Sequence, residues 1–117
     1  MHIDLFFEYG FSSLWYTREG EPERDWGIPK EWRRDRMLVE LDKDITDMWL
    51  SFFENRPDAF YFRGPKDPLD QERLKHMVKL YIDLIKKHMK PGDTLTDQLT
   101  PTLSKPLKND HPKWDID

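Results

Sequence analysis

The stretch DPLDQERLKHMVKLYIDLIKKHMKPG, residues 67–92, decides the fold because it predicts a long amphipathic helix. Asp67 is suited to cap the helix N-terminus, and Pro68 fits the first helical position, where its missing N–H would have no partner. The closing proline–glycine pair stops a helix. An apolar face recurs with helical spacing and comprises Leu74, Met77, Val78, Tyr81, Ile82, Leu84, Ile85 and Met89. The sequence therefore predicts a helix over residues 68–90.

A second helix is predicted over residues 45–53, where the apolar side chains again fall on one side. Residues 37–41 are ambiguous, because their alternation fits a strand and their spacing to the later apolar residues fits a helix. Either one long helix runs over 29–55, or a short strand precedes a helix that starts near Asp42 or Asp44. We favour the second alternative, since aspartate is a good N-cap and a poor residue for a helix interior.

Strands are predicted at the N-terminus. Apolar and polar side chains alternate over residues 3–7, which is typical of a strand with one buried face. A second strand is predicted over 11–17, with Gly10 at or near the turn of an antiparallel hairpin. The short aromatic run at 60–62 predicts either a third strand or an aromatic plug in the core. A further helix is predicted after Pro29, over residues 30–36.

The predicted fold class is α+β: a small antiparallel sheet, made of the N-terminal hairpin plus one or two short strands, packed by two main helices. Residues 1–92 are predicted to form a single domain. Residues 93–117 are predicted to be an extended or partly disordered C-terminal tail, because Pro101, Pro106 and Pro112 prevent a continuous helix there.

Composition excludes several classes of function. The chain has 117 residues, enough for one modest core, and it contains no cysteine, which excludes disulfides, thiolate metal sites and a cysteine nucleophile. Its formal net charge of −4 disfavours nucleic-acid backbones as partners. No secretory pattern and no apolar run of about 20 residues is present. We expect a cytoplasmic protein with no membrane partner.

Motif spacing gives little support to catalysis or to a cofactor. Neither a nucleophile elbow nor a phosphate-binding glycine loop occurs. A resemblance to a calcium loop at residues 42–53 fails, because Asp47 replaces the turn glycine and Phe53 replaces the final glutamate. No cofactor is therefore predicted.

A weaker alternative is a small metal-dependent enzyme or metal-binding protein. Glu72 and His76 lie one turn apart on the predicted helix and Asp83 falls near the same stripe, so the three could ligate zinc or iron. Lys75 and Lys79 lie on the same side and would repel a cation. A solvated polar face is the better interpretation.

The leading hypothesis is a non-enzymatic protein-binding module, such as an intracellular inhibitor or immunity-type protein that masks a partner. Tryptophan and arginine are the usual anchors of protein interfaces, and here they stand in charged, turn-rich sequence. The predicted contact residues are Trp15, Glu19, Glu21, Glu23, Asp25, Trp26, Trp32 and Arg33. The acidic residues would steer a basic partner. A structural or oligomer-forming subunit stays open as a third interpretation.

Overall fold

A computed structural model describes residues 1–8, 12–56, 59–62 and 67–103. The strands are β1 (His2–Leu5), β2 (Leu14–Thr17), β3 (Asp25–Trp26), β4 (Phe53–Arg56), β5 (Ala59–Phe62) and β6 (Thr94–Asp97). The helices are α1 (Arg36–Ser51), α2 (Pro68–His88) and α3 (Leu99–Leu103). The helix predicted over residues 30–36 is only a short 3-10 turn, Lys30–Trp32.

The main sheet has four strands in the order β3-β2-β1-β6. β1 and β2 are antiparallel, with Ile3 opposite Tyr16 and Leu5 opposite Leu14, which confirms the N-terminal hairpin. β6 lies parallel to β1, with Ile3 opposite Leu95. The sheet is therefore mixed, whereas the sequence predicted an antiparallel one. A parallel partner reaches β1 only through a long crossover, and alternation within a short strand does not reveal it.

β4 and β5 form a separate two-stranded antiparallel sheet. The strand predicted at 60–62 is confirmed as part of β5, but it pairs with β4 and not with the N-terminal hairpin. The helix predicted to reach residue 53 ends at Ser51, because β4 starts two residues later. Gly10 lies outside the described residues.

Helix α1 begins earlier than the favoured alternative placed it. Asp35 caps it, with a carboxylate oxygen accepting a hydrogen bond from the backbone N–H of Leu38 at 3.2 Å. Residues 37–41 are helical, and the predicted break near Asp42 or Asp44 is wrong. Asp42 is tolerated inside the helix because its side chain bonds to other elements instead of competing for the local backbone.

Helix α2 is the element that local sequence chemistry predicts best. A side-chain oxygen of Asp67 accepts a hydrogen bond from the N–H of Leu69 at 2.9 Å, and Pro68 occupies the first helical position. Lys86, Lys87 and His88 lie in the last turn, where positive charge is favoured. The residues that α2 buries are Leu74, Val78, Tyr81, Ile82 and Ile85.

One core joins the sheet to the helices, and the fold is α+β. The sheet contributes Ile3, Leu5, Leu14 and Tyr16, and α1 contributes Leu38, Ile45 and Trp49.

Residues 94–103, within the segment predicted to be a tail, supply β6 and α3, and they place Leu99 and Leu103 in the same core. Residues 104–117 lie outside the described part. No described helix is long and apolar enough to cross a membrane.

Candidate functional site

The candidate site lies on the sheet face turned away from the core. Leu14 and Tyr16 of β2 are buried in the core, so Trp15, between them, projects from the opposite face. Trp26 of the edge strand β3 lies directly opposite Trp15. Because Gly27 N–H donates to the carbonyl of Leu14 at 2.8 Å, the two tryptophans form a non-hydrogen-bonded pair, in which side chains approach most closely. This register brings two tryptophans to one edge of the sheet.

Phe6 and Arg24 complete an aromatic cluster around Trp15. The rings of Phe6 and Trp15 are stacked, with centroids 6.1 Å apart and planes 6° from parallel. The guanidinium carbon of Arg24 lies 4.5 Å from the centroid of the Trp15 ring and 5.3 Å from that of Phe6. Cations over aromatic faces are attracted by the ring quadrupole. We call Phe6, Trp15, Arg24 and Trp26 the outer aromatic cluster.

The outer aromatic cluster is separate from the core. None of its members belongs to the buried core or to the partly buried residues packed against it. Trp26 is 61% exposed, an unusually open position for an indole. The Nε1–H of Trp15 is buried and has no hydrogen-bond partner among the residues that the structure describes. A buried donor without a partner is unfavourable, and an acceptor on a bound molecule would satisfy it.

A polar cluster occupies the other half of the same face. The Nδ1 of His2 lies 2.6 Å from the hydroxyl of Thr94, and its Nε2 lies 3.0 Å from a carboxylate oxygen of Asp4. The hydroxyl of Thr96 is 3.3 Å from the same Nε2. These residues face outward because Asp4 lies opposite both Trp15 and Thr96.

An acidic loop borders the aromatic half. Glu19, Glu21, Glu23 and Asp25 are all exposed between β2 and the end of β3. Gly27 closes the loop with a φ of 93°, a region that a residue with a Cβ rarely adopts. The four predicted acidic contact residues therefore lie exposed in the segment that joins the strands of Trp15 and Trp26, and Asp25, opposite Tyr16, is on the other face of the sheet from the two indoles.

Trp32 and Arg33, also predicted as contacts, do not join this surface. Trp32 is only 4% exposed and belongs to the core, where its ring stacks on His88 with centroids 5.6 Å apart. Placing Trp32 at a surface is the part of the prediction that the structure corrects, because the 3-10 turn directs its ring inward although its neighbours in sequence are charged. Arg33 is exposed, and its Nε–H donates to the carbonyl of Ile28 at 3.1 Å.

An ion pair and a hydrogen bond between side chains hold the elements around this turn. Arg18 and Glu31 form a bidentate pair at 2.7 and 3.0 Å, and this hydrogen bonding raises the pKa of Arg18 and lowers that of Glu31. The Nε2–H of His88 donates to Asp35 at 2.9 Å, joining the end of α2 to the cap of α1. That bond, with the Leu38 N–H, holds the pKa of Asp35 below its ordinary value.

A buried polar contact joins α1 to α2 inside the molecule. The phenol of Tyr81, which is fully buried, donates to a carboxylate oxygen of Asp42 at 2.6 Å, and the hydroxyl of Ser12 donates to the same oxygen at 3.4 Å. Burial raises the pKa of Asp42, although both hydrogen bonds act in the opposite direction. Burial, followed by the nearby carboxylate, raises the pKa of Tyr81 well above 10.0. The contact ties α1 to α2 and to Ser12 in the interior.

The residues of the metal alternative do not form a site. Glu72, His76 and Asp83 are all exposed along α2. Within the described residues, no three histidine, aspartate or glutamate side chains converge in a way that could hold a metal ion. Glu72 instead lies 3.7 Å from Lys75, in a solvent-exposed ion pair.

Sequence reasoning missed Phe6 and Arg24. A signal for Phe6 was present, since it falls on the polar side of the alternation in the first strand, where a large ring is unexpected. Arg24 carried no such signal, because its place over two rings depends on the pairing of β2 with β3.

No protein-family model, curated protein or solved structure matches the chain. The chemistry of the surface described above therefore has to support any functional proposal.

Proposed function

We propose that this protein is a non-enzymatic binding module that contacts another protein through the outer aromatic cluster and the acidic loop. The observation that carries the proposal is the 61% exposure of Trp26 beside Trp15, Phe6 and Arg24, on the sheet face away from the core. Folding alone gives no reason to leave an indole so exposed, because burying it would be favourable.

The chemistry of the cluster is that of an interface hot spot. Tryptophan and arginine dominate binding energy in protein interfaces, and they do so best when surrounded by groups that exclude water. The Nε1–H of Trp15, unsatisfied among the described residues, would gain a hydrogen bond from a carbonyl or carboxylate that a partner brings within reach. The face thus supports both apolar contact and one directional bond.

The acidic loop defines the kind of partner. Its four exposed carboxylates lie in the segment that joins the strands of Trp15 and Trp26, and the net charge of the chain is −4. Such a surface accelerates encounter with a basic protein and suppresses acidic competitors. We therefore propose a partner with a basic surface that this module covers, as an inhibitor or immunity-type protein would. The absence of cysteine is compatible with a reducing compartment, and we expect the encounter inside the cell.

The test compares two exposed apolar residues. The full chain is used to capture a partner from native cells, and the dissociation constant of the purified partner is then measured with the wild type, Trp26→Ala and Met37→Ala. Met37 is 60% exposed on α1, so it matches Trp26 in exposure and lies outside the cluster. Trp26→Ala is expected to weaken binding by about thirtyfold or more, the loss typical of a hot-spot residue.

Met37→Ala is expected to leave the affinity unchanged. If Trp26→Ala and the wild type bind the partner with equal affinity, the assignment of the outer aromatic cluster as the contact surface is refuted. Repeated capture that recovers no partner would leave the binding module without support.

A further inference from the structure

A groove runs along one side of α2, where this helix meets the end of β6 and α3. It encloses about 420 Å³ between α2, the end of β6 and α3, a volume within the range of about 300–1,000 Å³ typical of binding pockets. Its apolar lining comes from Val78, Ile82 and Leu103. The groove is large enough to receive an aromatic side chain.

Lysines border this groove. Lys75, Lys79 and Lys86 line it from α2. Lys79 and Lys86 form no ion pair within the part of the chain that the structure describes, and Lys75 has only an exposed contact with Glu72. The groove is therefore apolar inside with unpaired positive charge at its edge.

Acidic groups in the groove offset only part of the charge of these three lysines. One carboxylate oxygen of Asp97 accepts hydrogen bonds from the N–H groups of Leu99 and Thr100 at 2.9 and 3.1 Å, and the other accepts from the Thr100 hydroxyl at 2.6 Å. These hydrogen bonds hold the carboxylate of Asp97 at the start of α3. Asp83 is the other carboxylate in the lining, so positive charge exceeds negative charge there.

The acidic loop has the complementary chemistry. It presents four exposed carboxylates against one exposed arginine, Arg24, and it ends at the exposed ring of Trp26. An indole flanked by carboxylates matches an apolar groove bordered by lysines, because ring burial supplies affinity and the charges supply orientation. We infer that the occupant of the groove is the acidic loop of a second copy of this chain.

The order of the strands makes this contact intermolecular. Trp26 lies on β3 at one edge of the sheet, and Asp97, which lines the groove, lies on β6 at the other edge. With two strands between them, the two surfaces are separated by three strand spacings, roughly 14 Å or more. One molecule cannot bring its own loop to its own groove, so the copies associate head to tail. Such a contact is heterologous and grows into a ring or a chain.

Self-association would regulate the proposed binding site. The loop that occupies a neighbour's groove is the loop assigned above to the basic partner, so the two contacts compete. The assignment of the acidic loop as the contact rests on the proposed function, whereas the self-association of the purified chain is measured without any partner.

The first experiment follows the mass of the full chain by analytical ultracentrifugation across concentration and salt. The weight-average mass is expected to rise above 14.3 kDa with concentration. It should return toward the monomer as salt increases from about 0.1 M to about 1 M, since the Debye length falls from about 10 Å to about 3 Å. A monomer at every soluble concentration in low salt would overturn the inference.

The second experiment reverses the charges of each surface. One variant carries Lys79→Glu with Lys86→Glu, and the other carries Glu21→Lys with Glu23→Lys. Each alone should associate at least about tenfold more weakly than the wild type, because like charges then meet. An equimolar mixture should associate again, because every loop then meets a groove of opposite charge.

A matched control carries Arg36→Glu with Lys43→Glu, the same change of charge at exposed positions of α1, and it should associate like the wild type. If the reversed lysines disturb folding, Lys79→Gln with Lys86→Gln replaces them and should still weaken association. Association that survives both reversals, or a mixture that stays monomeric, would overturn the inference.

Partner affinity separates this inference from the proposed function. The variant with Lys79→Glu and Lys86→Glu keeps its acidic loop, so it should bind the basic partner at least as tightly as the wild type does. If this variant binds the partner as tightly as the wild type does and the wild type is strictly monomeric, the self-association is refuted and the proposed function is not. Loss of partner binding only with Trp26→Ala would leave the proposed function standing.

Discussion

Tyr81→Phe is expected to lower the free energy of unfolding by the contribution of one hydrogen bond to Asp42. The substitution removes one oxygen from a fully buried ring and leaves the ring packing intact. The lost bond, 2.6 Å long, is donated to the carboxylate of Asp42. A hydrogen bond to a charged group contributes about 1.5–3 kcal/mol. The remaining bond from Ser12 is long, at 3.4 Å, so it compensates little.

The assay is urea unfolding at neutral pH, followed by circular dichroism. The free energy of unfolding should fall by about 2 kcal/mol, which corresponds to roughly 8 °C in Tm for a domain of this size. A double-mutant cycle with Asp42→Asn isolates the pair, because the two side chains are in direct contact. A loss below about 0.5 kcal/mol for Tyr81→Phe would be that of an ordinary surface substitution and would refute the reasoning.

The same pair predicts a pH dependence. Burial raises the folded-state pKa of Asp42 above its ordinary value of 3.8. Between that value and the raised pKa, the folded chain binds more protons than the unfolded chain, so this residue adds stability as the pH falls. Relative to Asp42→Asn, the wild type should therefore gain unfolding free energy on acidification down to about pH 3.8. A difference between the two proteins that stays constant with pH would contradict this.

Three further outcomes are expected. Asp35→Ala should lower the unfolding free energy at pH 7 by about 1–2 kcal/mol through loss of the α1 cap. Because the folded-state pKa of Asp35 is lowered, the difference in unfolding free energy between the wild type and Asp35→Ala should shrink as the pH falls below 3.8 and through that folded-state pKa, as measured by urea titrations. Gly27→Ala should cost about 1 kcal/mol in thermal unfolding, since its φ of 93° strains any residue with a Cβ. Arg24→Ala should expose Trp15 and increase tryptophan quenching by acrylamide, a neutral quencher, with little change in Tm; unchanged quenching would argue against Arg24 covering that ring.

Local chemistry made α2 predictable from sequence. Its cap at Asp67, its proline at the first position and its apolar face all act within a few residues. The start of α1 was missed for the opposite reason. Asp42 looks like a cap by itself, but Tyr81, 39 positions away, accommodates its carboxylate inside the fold. Tertiary contacts of this kind override local propensity.

The candidate site was predictable in part. The alternation in the second strand indicates an outward Trp15, and the charged turn around Trp26 indicates exposure. The pairing that unites these two residues, and brings Arg24 over the ring, depends on register between strands. Trp32 was predicted at the surface and is buried, because charged neighbours in sequence do not determine the direction in which one ring points from a short turn.

The position of β6 has a consequence for how the chain folds during synthesis. His2 and Thr94 touch across 92 positions, so β1 gains its second neighbour, β6, only after residues 94–97 have been made. Closing so large a loop is slow. Until then the nascent chain carries an open strand edge, a surface on which chaperones act and at which aggregation begins.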